Sequence, residues 1–196
     1  MIDMLIESPA GQIKHGDVRN KINEIISAIN RPDLASFGYA TYSDSVSEAA
    51  PVAASAGELT EILIDGLGQY TEEQNLPNGI SSLFSLATKR IDLSSLKVGD
   101  TVSIRYTADV TAGINNQTFY FYLLLGEGTT SEFIIPIGSP IELKDSTKEF
   151  PMSFYTEIYI GSLDVLQNAV KLLVTTDNAY TVRNRGLFIK ATRRGL

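Results

Sequence analysis

His15 is the only histidine of this chain, and cysteine is absent. Thiol nucleophiles, disulfide frameworks and zinc–thiolate sites are thereby excluded. A Ser-His-Asp triad would depend on His15 alone, which stands just ahead of a predicted helix. A solvated histidine at a helix entrance explains that position without any chemistry. Carboxylates are plentiful, with 23 Asp and Glu residues. Glycoside hydrolysis needs two of them held across a groove, and Asp109 with Glu157 is one such pairing. A chain this acidic offers such pairs by chance, so neither residue is assigned a role. No phosphate-cradling Gly-Lys-Ser run, dinucleotide fingerprint or nucleophile elbow occurs. The segment Leu96-Lys97-Val98-Gly99-Asp100 has the composition of a turn leading into a strand, and turn geometry alone explains its Gly and Asp. The expectation is a protein that is not an enzyme, with no catalytic residue, no metal ligand and no cofactor.

The 17 Tyr and Phe residues (9 Tyr, 8 Phe) carry two readings. Tyr155, Tyr159 and Tyr180 are candidates for a sugar-stacking platform. Tyrosines at alternate strand positions equally serve packing, and tryptophan, common in carbohydrate sites, is absent.

The formal net charge is −7, with a pI near 4.7. Neutralising phosphates takes clustered Lys and Arg, so this balance has the wrong sign for a duplex-binding protein. The one basic cluster, Arg183, Arg185, Lys190, Arg193 and Arg194, reads as a solvated face or a salt-bridging patch for an acidic neighbour. The longest uncharged apolar run outside the N-terminus, residues 119–126, is too short to cross a bilayer. The first residues carry no positively charged leader. The expectation is a chain that binds neither nucleic acid nor membrane and is made in the cytoplasm of its host.

A length of 196 residues with 43% hydrophobic content suffices for one self-supporting core. Three zones divide it. In residues 1–16, Ile2, Met4 and Ile6 alternate with Asp3, Leu5 and Glu7, a short strand signal closed by Ser8-Pro9-Ala10-Gly11. A lone strand cannot bury its own apolar side, so this arm needs another copy or another surface.

The second zone is a helix over about residues 17–30, with Asp17 as N-cap and Asn30-Arg31-Pro32 as stop. Val18, Ile22, Ile25 and Ile29 follow spacings of four, three and four, the pattern of a coiled-coil seam. Isoleucine at both seam positions favours three or four strands over two. A single amphipathic helix packed on the remaining domain is the competing reading, and Ile26 beside the seam fits it.

The third zone, residues 36–196, reads as β throughout. Residues 43–57, rich in Ala, Ser and Pro, read as an irregular loop. In residues 101–111, Val102, Ile104, Tyr106, Ala108 and Val110 share one face while Thr101, Ser103, Arg105, Thr107 and Asp109 share the other. Residues 117–125 are apolar on both sides: Phe119, Phe121, Leu123 and Leu125 against Tyr120, Tyr122 and Leu124. Such a strand asks for a second covering, which points to a subunit interface at Phe119, Phe121, Tyr120 and Tyr122. Further runs at 36–43, 58–65, 133–137, 150–160, 170–175 and 186–192 bring the count to between seven and nine strands, the pattern of a sandwich or jelly roll.

Several short motifs support a resemblance. They are Phe37-Gly38-Tyr39-Ala40-Thr41-Tyr42-Ser43-Asp44, then Ala50-Pro51, then Asp65-Gly66-Leu67-Gly68. Later come Leu93-Ser94-Ser95-Leu96-Lys97-Val98-Gly99-Asp100-Thr101-Val102-Ser103-Ile104-Arg105 and the closing Arg193-Arg194-Gly195. Together they resemble the jelly-roll domains of tailed-bacteriophage virion proteins, of the head-fibre, capsid-decoration or fibre-module type. The resemblance covers residues 36–196 and implies a homotrimer carried on an N-terminal stem, with no catalytic residues.

The expected architecture is therefore an all-β, jelly-roll-like sandwich in residues 36–196. A short arm and one helix, residues 1–35, precede it and form a trimeric stem. The expected function is that of a non-enzymatic virion structural protein, a trimeric head-fibre or capsid decoration protein. Val18, Ile22, Ile25 and Ile29 set the trimer, and Ile2, Met4, Leu5 and Ile6 dock on the major capsid protein or another virion protein. The alternative is a tail-fibre or tail-tip module that binds a host surface glycan.

Overall fold

The computed structural model describes residues 15–29 and 36–194. It divides into two compact units, the first holding the N-terminal helix and the second spanning Ala35–Arg194.

In the first unit, helix α1 runs His15–Ile29. It begins two residues ahead of the expected N-cap at Asp17. Lys21 reaches Glu24 across one turn, Nζ to Oε2 2.8 Å. Such exposed pairs contribute only about 0.2–0.5 kcal/mol.

The second unit is a two-layer antiparallel sandwich. Its strands in chain order are β1 (Ser36–Ser43), β2 (Val52–Ala54), β3 (Thr60–Ile62), β4 (Glu72–Asn75), β5 (Phe84–Ser85), β6 (Arg90–Ile91) and β7 (Thr101–Ala112). There follow β8 (Gln117–Leu125), β9 (Phe133–Pro136), β10 (Ile141–Leu143), β11 (Glu149–Tyr159), the short helix α2 (Asp164–Gln167), β12 (Lys171–Thr176) and β13 (Tyr180–Arg193). One sheet has the order β11-β7-β13-β1-β4, with β2 on β13; the other has the order β10-β8-β12-β3, with β9 on β8. The pairs β1·β13, β3·β12, β7·β11 and β8 with β9 and β10 are all antiparallel. β1 pairs with the last strand and β3 with the one before it, while β7 and β8 take partners nearer in the chain, a nested antiparallel order like a long hairpin rolled over on itself. That connectivity is the jelly roll. β2 lies inside the stretch 43–57 expected to be irregular; its three residues pair with the start of β13, Val52 opposite Val182.

Alternation decides what goes inside. On β7, Val102, Ile104, Tyr106, Ala108 and Val110 are all buried. On β8, Phe119, Phe121, Leu123 and Leu125 meet them from the opposite layer. Phe121 lies 4.1 Å from Phe154 between ring centroids, and Tyr106 is 5.9 Å from Phe121. Each such side chain contributes roughly 1.5–3 kcal/mol by leaving water. The Tyr106 hydroxyl donates to Asn184 Oδ1 at 2.7 Å, and Asn184 Nδ2 donates to the Leu63 carbonyl at 3.1 Å, so this buried polar pair is satisfied. Burial pushes the Tyr106 phenol well above its ordinary pKa.

Near the middle of β13 the ladder to β7 slips by one residue between Asn184 and Gly186. There the chain passes so close to β1 that a Cβ on Gly186 would sit 2.5 Å from the Tyr42 carbonyl oxygen. Only glycine fits, and the bulge re-aims the outward side chains on either side of it.

Candidate functional site: the outer face of the larger sheet

The side chains that alternation turns away from the core build one continuous surface across β11, β7, β13 and β1. Register sets its rows. Tyr155 stands opposite Arg105, Arg105 opposite Phe188, and Phe188 opposite Thr41. The next row is Glu157, Ser103, Lys190 and Tyr39, and beyond it come Tyr159, Thr101, Thr192 and Phe37. Three aromatic rings and two cations from four strands thus meet within two strand positions.

Their contacts are ordered. Tyr39 stacks on Phe188 with centroids 5.4 Å apart and planes at 24°, and the Arg105 guanidinium lies 5.2 Å over the same Phe188 ring. Lys190 covers Phe37 at 5.6 Å. A cation held over a ring gains about 0.5–1 kcal/mol at exposed sites. Tyr155 is 57% exposed and Tyr70, at the β1 margin of the face, is 77% exposed. A groove of about 180 Å³ opens between Tyr70, Thr41, Phe188, Arg105, Thr107 and Arg185, with Gly186 in its wall. The Thr41 hydroxyl donates to the Tyr70 carbonyl at 2.7 Å, and the Thr107 hydroxyl donates to the Gly186 carbonyl at 3.2 Å.

The charges around the groove differ in their partners. Arg185 is paired with Asp109 through Nε at 2.5 Å and with Glu48 at 2.8 Å. Arg183 reaches Glu149 at 3.4 Å, and Arg193 donates to the Asn78 carbonyl at 2.7 Å. The basic cluster is therefore matched largely by the acids and carbonyls of its own chain. Arg105 pairs with no carboxylate among the described residues.

Of the three tyrosines nominated for stacking, the fold brings Tyr155 and Tyr159 onto this face. Tyr180 is 4% exposed and packs edge-on against Phe119 in the core, centroids 5.4 Å apart. Arg105 stood on the outward list of its strand. Phe188, Tyr39 and Tyr70 had no signal of their own, because only pairing across strands distant in the chain makes them neighbours. Asp109 and Glu157 do not converge. Asp109 stands opposite Pro151 and Glu157 opposite Ser103, six residues along the ladder and roughly 20 Å apart. Both types of glycosidase need a much shorter separation. Among the described residues no group of three or more His, Asp or Glu side chains is placed to hold a metal ion.

The strand apolar on both sides resolves differently from expectation. Phe119 and Phe121 are buried inside their own sandwich, so neither is available to a second subunit. Tyr120 is exposed and Tyr122 half-buried on the outer side, while Leu124 beside them is buried within the single chain. Salt bridges flank that side: Arg90 forks onto Glu61 at 2.6 and 2.9 Å, and Lys171 binds Glu127. On α1, Val18, Ile22 and Ile25 are exposed, as is Ile26 next to them. The side chain of Ile29 and the arm residues Ile2, Met4, Leu5 and Ile6 lie outside the described residues.

Short motifs singled out in the sequence turn out to be junctions. Asp44 accepts from Asp65 N at 2.9 Å and from Ser47 N at 2.8 Å, and Asp65 accepts from Ser45 N and Leu67 N, both at 3.0 Å. Burial works against a charge on Asp65, but these bonds and that of the Ser45 hydroxyl outweigh it and hold the carboxyl below its usual range. Asp100 accepts from Lys97 N at 2.9 Å and Arg194 N at 3.0 Å, joining the turn before β7 to the end of β13.

The class defined by this connectivity is the jelly-roll β-sandwich, with an aromatic and cationic outer face on its larger sheet. No protein-family model matches the chain, and no curated protein matches it. Solved structures are similar to the chain at low identity and low TM-score. The infectious bursal disease virus Gx strain structure is 10% identical with a TM-score of 0.40, over 83% of this chain and 38% of that one. The vertex protein P5 of PRD1 is 16% identical with a TM-score of 0.41, over 82% of this chain and 73% of that one. The CBM22-1 xylan-binding domain of Paenibacillus barcinonensis Xyn10C is 12% identical with a TM-score of 0.39, over 75% and 90%.

Proposed function

We propose that this protein is a non-enzymatic structural component of a bacteriophage virion, a homotrimeric head-fibre or capsid decoration protein. The observation that carries the reading is the helix ahead of the jelly roll. Val18, Ile22 and Ile25 form an exposed aliphatic stripe at seam spacing, Ile22 being 50% exposed. A stripe of that kind is costly to leave in water and is relieved by a second and third copy, the number favoured by isoleucine at both seam positions. The motif resemblance of residues 36–196 to tailed-phage virion proteins supports the same assignment. In this reading the arm, residues 1–16, docks on the major capsid protein or a neighbouring virion protein. Three linked weak anchors then give far more avidity than one.

The test is the solution mass of the full chain by size exclusion with light scattering, beside a chain starting at Ser36. A trimer for the first and a monomer for the second is expected; a monomeric full chain overturns the reading. Capsid co-sedimentation of a chain lacking residues 1–16 tests the anchor, and retained binding removes that part.

A specific observation favours a second reading, a module that binds a host surface glycan. It is the exposure of Tyr155, Tyr159 and Tyr70 on one sheet face.

A further inference from the structure

From the geometry of the larger sheet's outer face we infer that the groove beside Arg105 is a binding site for an acidic saccharide, a sugar ring bearing a carboxylate. The inference specifies the ligand class of that face and stands whether or not the chain is a trimer.

Three features of the groove select this chemistry. The first is Arg105. Its guanidinium carbon lies 5.2 Å from the Phe188 ring centroid, and Phe188 is itself backed by Tyr39, so the cation rests on an aromatic support before any ligand arrives. No carboxylate of the described residues pairs with it, whereas Arg185 on the far wall already holds Asp109 and Glu48. A guanidinium held over a ring and unpaired with any carboxylate keeps its N–H fork free, and that fork takes a carboxylate bidentately. Glu157 stands one row away, opposite Ser103, and no ion pair joins it to Arg105 among the described residues. The local anion site therefore survives in a chain of net charge −7.

The second feature is the state of the hydroxyls. Thr41 and Thr107 each donate their own proton to a backbone carbonyl. What they offer the groove is lone pairs, so the ligand must bring hydroxyl donors. A ligand with one carboxylate and several hydroxyls satisfies Arg105 and the two threonines together. The third feature is the rings. Tyr70 and Tyr155 flank the site with exposed faces, and the aliphatic face of a pyranose packs on such surfaces. The volume of about 180 Å³ is that of a small pocket suited to a single sugar unit.

The experiment is calorimetric titration of the full chain, its mass measured on the same sample, against three sets of probes. The first is a panel of hexuronate and sialate oligosaccharides, the second their methyl esters, and the third poly-glutamate. At least one acidic oligosaccharide is expected to bind, at least tenfold more tightly than its methyl ester, with poly-glutamate not bound. Arg105→Gln should weaken that binding at least tenfold and Tyr155→Ala several-fold, both with an unchanged unfolding midpoint. Binding should also weaken as salt is raised. The site is overturned if no acidic oligosaccharide binds, if ester and acid bind alike, if poly-glutamate binds as well, or if both variants keep full affinity. A monomeric mass with Arg105-dependent binding removes the trimer and leaves the site; a trimeric mass without binding does the reverse.

Discussion

Asp44 and Asp65 hold each other's loops: Asp44 Oδ1 accepts from the Asp65 amide at 2.9 Å, while Asp65 Oδ1 accepts from the Ser45 amide at 3.0 Å. The two residues are 21 positions apart, and the exchange ties the end of β1 to the chain just past β3. Gly68 completes the knot, since a Cβ there would lie 2.5 Å from Ser43 Oγ. The runs ending in Ser43-Asp44 and spanning Asp65-Gly66-Leu67-Gly68 are thereby explained by architecture and not by ligand chemistry.

Asp65→Ala should destabilise the fold by about 1–3 kcal/mol, because it removes the charged acceptor shared by the Ser45 and Leu67 amides and the Ser45 hydroxyl. The sign of the pH dependence follows from the depressed carboxyl. Its contribution is present above the unfolded-state value of about 3.9 and is lost as pH falls through the lower folded-state value. Urea unfolding between pH 6 and pH 2 should therefore show a shallower loss of stability for Asp65→Asn than for the native chain. Equal slopes would remove this carboxylate from the acid response.

On β7, opposite faces should respond differently. Ile104→Ala, in the fully buried row, should cost about 2–5 kcal/mol. Ser103→Ala, one residue back on the outer face, should stay within about 0.5 kcal/mol. Chemical denaturation of the two variants measures the contrast directly, and comparable losses would mean the assigned facing is wrong.

Gly186→Ala should destabilise by more than about 1 kcal/mol, since the added methyl meets the Tyr42 carbonyl at 2.5 Å. The same change at Gly128, where a Cβ meets nothing within 4 Å, has only its positive φ of 74° to oppose it and should cost less. Thermal unfolding midpoints rank the two, and a reversed order would contradict the close approach of β13 to β1.

Ile22→Lys together with Ile25→Lys should convert the proposed trimer to a monomer with the jelly roll still folded. Light scattering gives the mass, and far-ultraviolet dichroism checks the fold. A trimer that survives both changes would move the interface off the helix.

Much of the strand content was legible because burial imposes a period of two. In residues 101–111 alternation puts every apolar residue of one face in the core, with Asp109 of the other face also buried, and the run 150–160 does nearly as well, with Phe150 and Met152 only partly buried. The rolled connectivity was reachable as a class from strand number and turn spacing. The short strands β2 and β4 were not, since edge strands of three and four residues carry no periodic signal. Residues 117–125 read as apolar on both sides, and composition alone cannot say which side faces the partner sheet. Packing of the second layer settles it: Phe119 and Phe121 go inward, and Tyr120 remains outside.

The sequence by itself determined what each residue can offer: no thiol, one histidine, an acid excess, and β strands with an outward Arg105. Those follow from side-chain chemistry and from the geometry of one strand. Only the tertiary structure decided which residues meet. Tyr155, Arg105, Phe188 and Thr41 lie as far as 147 positions apart in the chain (41 to 188) yet form one row, because antiparallel pairing places the last strand between the first and the seventh. Contacts of that range depend on register across strands, a property of the folded sheet and of no single segment.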